Sequence, residues 1–145
     1  MGLKINFSPN AKFHGMLDNK SKIDIIKSSK ALVFPVLWHE PFGLAIIESM
    51  YLGCPVFGTP YGSLPELVTE EYGKLSNKIN ELAEAIKNVD SYNSVQISEY
   101  AADRFNSSVM AENYIKMYEK VLNGEQLNKS IPVTEKSVNN IFVFE

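Results

Sequence analysis

The chain has 145 residues, 45% of them hydrophobic, with 14 Lys and Arg against 17 Asp and Glu, a net charge of -3. That is enough apolar material for a real core and too little positive charge for a nucleic-acid footprint. No apolar run approaches the roughly 20 residues needed to span a bilayer, the N-terminus lacks a signal-peptide h-region, and the single cysteine, Cys54, fits a reducing compartment. The expected location is the cytoplasm.

In chain order, Lys12–Gly15 reads as a short strand. Asp18 can cap a helix running to Lys30, with Ile23, Ile25, Ile26 and Leu17 supplying its apolar face. Ala31–Pro35 (ALVFP) is uniformly apolar, as strands covered on both faces tend to be. Gly43–Tyr51 reads as a helix closed by Gly53, a residue suited to the left-handed position after a helix. Pro55–Gly58 is the next strand. Ser63 and Glu66 have capping-box spacing over a short helix, Leu64–Val68, with Pro65 in its first turn.

A brief strand at Gly73–Leu75 precedes a helix from Lys78 to Asn88, with Ile79, Leu82, Ile86 and Val89 on one face. Two more helices are predicted, Gln96–Phe105 and Ser108–Leu122. The second carries a stripe of Met110, Tyr114, Met117, Tyr118 and Val121, which reads as packing surface. Beyond Asn123 the sequence is polar and loose, apart from Ile141-Phe142-Val143-Phe144. Alternation of apolar strands with helices predicts an α/β fold with a parallel sheet. The domain is expected over residues 1–122 and a tail over 123–145.

The chemistry concentrates between Phe34 and Glu66. A buried strand ends at Pro35, a loop carries Glu40, and a helix begins at Phe42-Gly43-Leu44. Ligands of open α/β sheets sit beyond the carboxyl ends of the strands. A helix starting there offers free N–H groups and a positive dipole end to a phosphate. Gly43, having no Cβ, is expected to open those amides to the anion. Glu40 before the helix and Glu48 inside it are acceptors suited to sugar hydroxyls. Together they suit a ligand with phosphates in the middle and a sugar at each end. His39 reads as lining this pocket, Trp38 as packing down, His14 as structural and Cys54 as buried and inert. No His, Cys or Asp cluster has metal-ligand spacing.

The run Glu40-Pro41-Phe42-Gly43-Leu44-Ala45-Ile46-Ile47-Glu48 resembles the Glu, seven residues, Glu signature of retaining GT-B glycosyltransferases. That is the family 4-like, glycosyl transferases group 1 class that includes sucrose synthases and bacterial mannosyl- and glucosyltransferases. Gly53-Cys54-Pro55-Val56, Gly62-Ser63-Leu64-Pro65-Glu66, Phe13-His14-Gly15-Met16 and Arg104-Phe105 extend the likeness over roughly residues 11 to 122.

The resemblance implies a Rossmann-like C-terminal half-domain, truncated on its N-terminal side, with a parallel sheet of about four strands. It implies Glu40 on the donor sugar, the amides of Phe42, Gly43 and Leu44 on the distal phosphate, and Glu48 on the ribose. Gly15 and Met16 (with Leu17) would lie beside the base. The donor would be a nucleoside diphosphate sugar, by default a UDP-sugar, with no cofactor and no metal required. No residue of this chain is assigned a catalytic role. The first strand with its glycine-rich loop, the Arg/Lys pair for the pyrophosphate and the acceptor domain would all lie upstream of Asn10. The expected function is therefore the donor-binding part of a hexosyltransferase, inactive alone and needing an N-terminal acceptor domain or companion subunit. The alternatives are a non-catalytic nucleotide-sugar-binding or split-enzyme subunit, and a truncated gene product.

The same resemblance leaves a gap in the sheet where two strands are missing. Lys12–Gly15 is expected to fill it by pairing in parallel with Ala31–Pro35. The other outcomes are a homodimer through the exposed sheet edge, and addition of Ile141–Phe144 to that edge.

Overall fold

A computed structural model describes residues 9–128, 130 and 131. Their order is α1 (Asn19–Ser28), β1 (Leu32–Phe34), α2 (Leu44–Tyr51), β2 (Val56–Gly58), α3 (Leu64–Leu67), β3 (Gly73–Leu75), α4 (Ile79–Lys87), a 3₁₀ turn (Val89–Ser91), α5 (Ser94–Arg104) and α6 (Ser107–Leu122). The three strands form one parallel sheet in the order β1-β2-β3, with Leu32 opposite Val56 and Val56 opposite Gly73. The fold is α/β, as the alternation of strand and helix patterns predicts.

β2 is the middle strand and all three of its residues are buried, which is why Val-Phe-Gly shows no polar alternation. The core gathers around it. Ile46 and Met50 come from α2, Leu64 and Leu67 from α3, and Ile97 and Ala101 from α5. Tyr92 closes one end, its ring edge-on to Phe57 at 5.6 Å. Local chemistry sets the helix starts. Asp18 accepts from the Ser21 amide, Asn93 from Val95 and Gln96, and Asn106 from Val109, each satisfying an orphan donor of a first turn. Gly53 takes φ 83° after α2, the left-handed conformation expected there.

Four expectations fail. Lys12–Gly15 forms no strand and pairs with nothing in the sheet; Phe13 is 72% exposed and Met16 fully so. The sheet among the described residues therefore has three strands, not four. The reason lies in β1. Leu32 donates to Pro55 O toward β2, so by alternation Val33 turns its backbone groups outward. The next outward position is Pro35, which has no N–H to offer. That edge offers a returning strand the backbone groups of Ala31 and Val33 but no donor at the third outward position. The Ile141–Phe144 alternative lies outside the described residues.

Second, β1 is not covered on both faces; Val33 is 51% exposed, because α1 buries none of its residues and, among the described residues, no strand flanks the edge. Third, Ser63 makes no capping bond to its own helix; its hydroxyl is used elsewhere. Fourth, the Met110–Val121 stripe does not pack. No residue of α6 is buried, and Tyr114 is 56% exposed. On α4 only Leu82 is buried; Ile79 stands out in solvent.

Candidate functional site

The site is built at the carboxyl ends of β1 and β2. Two loops leave there, residues 35–43 after β1 and 59–63 after β2, and the second clamps the first. Thr59, fully buried, donates its hydroxyl to Val36 O. The Ser63 amide donates to Glu40 O at 2.9 Å, and its hydroxyl donates to Phe42 O at 2.8 Å. Gly62 sits between them at φ +63°, and a Cβ there would collide with the Glu40 backbone N and O. Only glycine permits both the left-handed turn and that approach. The Gly62-Ser63 pair, which reads in the sequence as a turn and a cap, is the latch that fixes the Glu40 loop.

Gly43 begins α2 with φ 87°. A Cβ on it would meet Ile46 Cδ1 at 2.8 Å and Leu67 Cδ1 at 3.5 Å. The expectation that it clears the way for an anion is therefore corrected: its missing Cβ faces the core, and what Gly43 supplies is the left-handed entry into α2. The entry leaves the Leu44 and Ala45 amides with no acceptor among the described residues, while Ile46 and Ile47 both return to Gly43 O. Leu44 and Ala45 are both exposed residues at the positive end of the helix.

The Glu40 loop borders a groove of about 710 Å³ lined in part by His39, Glu40, Phe42, Ser63, Glu66 and Arg104; Leu44 does not line it. The Glu40 carboxylate accepts from Trp38 Nε1 at 3.1 Å. Trp38 is 54% exposed, so it holds Glu40 instead of packing down. The His39 ring lies edge-on to Tyr61 at 6.4 Å. Arg104, the chain's single arginine, is held over the Tyr100 ring at 5.3 Å and brings the groove its cation. The sequence marks Arg104-Phe105 as part of the family likeness but gives it no place at the site, since it arrives from the end of α5. Among the described residues no three His, Cys, Asp or Glu side chains group as a metal would require.

Glu48 lies elsewhere, in a groove of about 420 Å³ between α1 and α2, where Lys22 Nζ reaches both its oxygens at 2.8 and 2.9 Å. With both side chains more than a third exposed, such a pair contributes about 0–1 kcal/mol to stability. Gly15 and Met16 line neither groove. The structure thus brings Glu40 and Phe42 together, seats Glu48 one helix face away, and leaves Gly15 and Met16 apart. His14 is exposed. Cys54 is buried, donates to Ile26 O and Ser29 O, and has its thiol pKa raised by that burial, an inert thiol as expected.

The model of the glycosyl transferases group 1 family matches residues 3–104. The chain belongs to that family. The match begins earlier than the motif likeness and stops at the end of α5, before α6. Two Klebsiella pneumoniae proteins are similar: an "Uncharacterized 41.2 kDa protein in cps region", 25% identical across 75% of this chain and 32% of its own length, and an "Uncharacterized 42.6 kDa protein in cps region", 31% identical across 70% of this chain and 24% of its own. The crystal structure of AviGT4, a glycosyltransferase involved in avilamycin A biosynthesis, superposes with a TM-score of 0.57 at 22% identity. It covers 73% of this chain and 34% of AviGT4. The fold is that of a GT-B glycosyltransferase. This group 1 chain spans about a quarter to a third of the proteins it matches.

Proposed function

We propose that this chain is the donor-binding part of a retaining glycosyltransferase that moves a hexose from a nucleoside diphosphate, UDP by default, to an acceptor. The observation that carries the reading is the latched loop. It fixes the backbone of Glu40 and Phe42 just ahead of α2, whose Leu44 and Ala45 amides have no acceptor among the described residues, in a member of the group 1 family. Glu40 accepts hydroxyls of the donor sugar, the amides from Phe42 to Leu44 meet the distal phosphate, and Glu48 takes the ribose. Gly15 and Met16 lie nearest the base. Catalysis in such a reaction comes mainly from stabilising the departing diphosphate, and in this proposal the main cationic partners come from outside the chain. Residues 1–122 form the binding unit and 123–145 a tail.

Calorimetry with UDP and UDP-glucose tests the assignment. Glu48→Ala is expected to weaken both ligands, and Glu40→Ala only the sugar-bearing one, each by about tenfold. Equal losses for both ligands in both variants would sink these roles.

A second reading, one subunit of a split enzyme, is favoured by the α6 stripe. Seven large apolar and aromatic side chains, the five of the stripe with Ile115 and Leu122, stand exposed on one helix, more than a free-standing surface helix normally shows. A companion carrying the acceptor site would cover them.

A further inference from the structure

We infer that Asn123 is a self-modifying site, at which the chain loses ammonia by attack of its own Gly124 nitrogen and takes up water in its place. The Gly124 nitrogen bonds to Asn123 Cγ, and the side-chain nitrogen departs as ammonia with the proton that Gly124 gives up through solvent. The five-membered imide that remains has two carbonyls. Water adds to one of them and breaks its bond to nitrogen, leaving aspartate if that carbon is Cγ and isoaspartate if it is the backbone carbon. Nothing is oxidised or reduced, and water is the only other reactant. A side chain on the residue after asparagine obstructs this ring closure, and glycine has none. Asn123-Gly124 is the single Asn-Gly step of the sequence, and two Asn-Ser steps, Asn93-Ser94 and Asn106-Ser107, are comparisons within the same chain.

The structure separates the three steps. Asn93 and Asn106 are helix caps. Asn93 Oδ1 accepts from Val95 N and Gln96 N, Asn106 Oδ1 accepts from Val109 N, and Asn106 Nδ2 donates to Ala102 O. Those bonds fix each side chain, and releasing it would undo the first turn of α5 or α6. Asn123 is exposed at the other end of α6, and its side chain has no hydrogen-bond partner among the described residues. Gly124 has φ +78°, and nothing lies within 4 Å of the point where a Cβ would stand, so the ring has room to form. One group of bonds opposes it: Asn123 N donates to Glu119 O, Gly124 N to Val121 O and Glu125 N to Lys120 O, each at 3.0 Å. The Gly124 bond holds the proton of the attacking nitrogen, so reaction waits for the last turn to open. Because α6 buries none of its residues, little packing resists that opening, and helix ends held this loosely fray at small cost. The product cannot fully close again. It carries a carboxylate at the negative end of the helix, and the isoaspartate form adds a carbon to the main chain inside the turn. Modification therefore loosens the end of α6 that carries Val121 and Leu122, part of the exposed apolar stripe.

Peptide mapping by mass spectrometry tests this on the full chain kept in warm neutral buffer, folded and in concentrated urea. The exchange of an amide NH₂ for OH is expected on the peptide holding Asn123. The folded chain should convert within about tenfold of the rate of the unfolded chain, since a fraying turn is open for much of the time. The peptides holding Asn93 and Asn106 should stay unchanged in the folded chain. Asn123→Gln and Gly124→Ala should each remove most of the conversion, the first by lengthening the side chain and the second by obstructing the nitrogen. Hydrogen exchange on converted chain should show the Asn123 and Glu125 amides less protected than before. A folded chain that stays unmodified at Asn123 while the unfolded chain converts fully would show that the last turn of α6 stays shut, and would overturn the inference. So would conversion at Asn93 or Asn106 as fast as at Asn123, or a Gly124→Ala chain that converts at the wild-type rate.

Discussion

Gly62 shows how much of this site depends on single backbone positions. Its φ of +63° is left-handed, and the space where a side chain would begin is filled by the Glu40 backbone. Gly62→Ala is expected to lose at least about 1–2 kcal/mol from the left-handed conformation alone. The collision must also push Glu40 away from Ser63. Urea unfolding should report the stability loss, and UDP-glucose affinity should fall further than UDP affinity, because the displaced residue faces the sugar. A Gly62→Ala chain with wild-type stability and wild-type donor binding would show that the latch is dispensable. Ser63→Ala removes only the bond to Phe42 O and serves as the milder comparison.

At the level of elements, the scaffold under the site is the pairing of α2 with α5 on the buried strand β2. Ile97 is wholly buried on α5 and belongs to the same cluster as Ile46 and Met50 of α2. Ile97→Ala should cost about 2–5 kcal/mol by removing buried methyl groups and leaving a cavity. Since native domains hold only about 5–15 kcal/mol in all, a large share of the chain should be unfolded at moderate temperature. A melting curve shifted by less than about 2 °C would mean that α5 is not part of the cooperative core. The same substitution at Ile79, which faces solvent on α4, should be close to neutral although the periodicity of α4 puts it on one face with the buried Leu82.

For the whole molecule, the exposed surfaces decide the behaviour. The stripe on α6 and a groove of about 640 Å³ at its N-terminal end, lined in part by Phe42, Phe105, Met110 and Tyr114, lie next to the candidate site. Sedimentation of the isolated chain should show association that grows with concentration. Met117→Gln with Tyr118→Gln should shift it toward monomer without lowering the melting temperature, because neither side chain is buried. Association unchanged by the pair would place the contact elsewhere. The isolated chain is also expected to give no glycosyl transfer above background, since such reactions draw much of their rate from two domains closing on both substrates. Turnover by pure chain, abolished by Glu40→Ala, would refute that.

The sequence by itself determined what local backbone chemistry controls. The helix cap at Asp18, the glycine after α2, the three short strands and the Glu40–Glu48 run were all legible, because each depends on residues within a turn or two of one another. The tertiary structure alone decided which segments became neighbours. Lys22 meets Glu48 across 26 residues, and Ser63 meets Phe42 across 21; no periodicity records either. Strand pattern alone could not keep Lys12–Gly15 in the sheet, since a strand exists only where a partner offers paired N–H and C=O groups, and Val33 beside Pro35 offers too few. The stripe on α6 is as apolar as a packed one. Whether it is buried depends on what lies opposite, and the described residues offer it an open groove shared with Phe42 and Phe105 at its N-terminal end and no covering element.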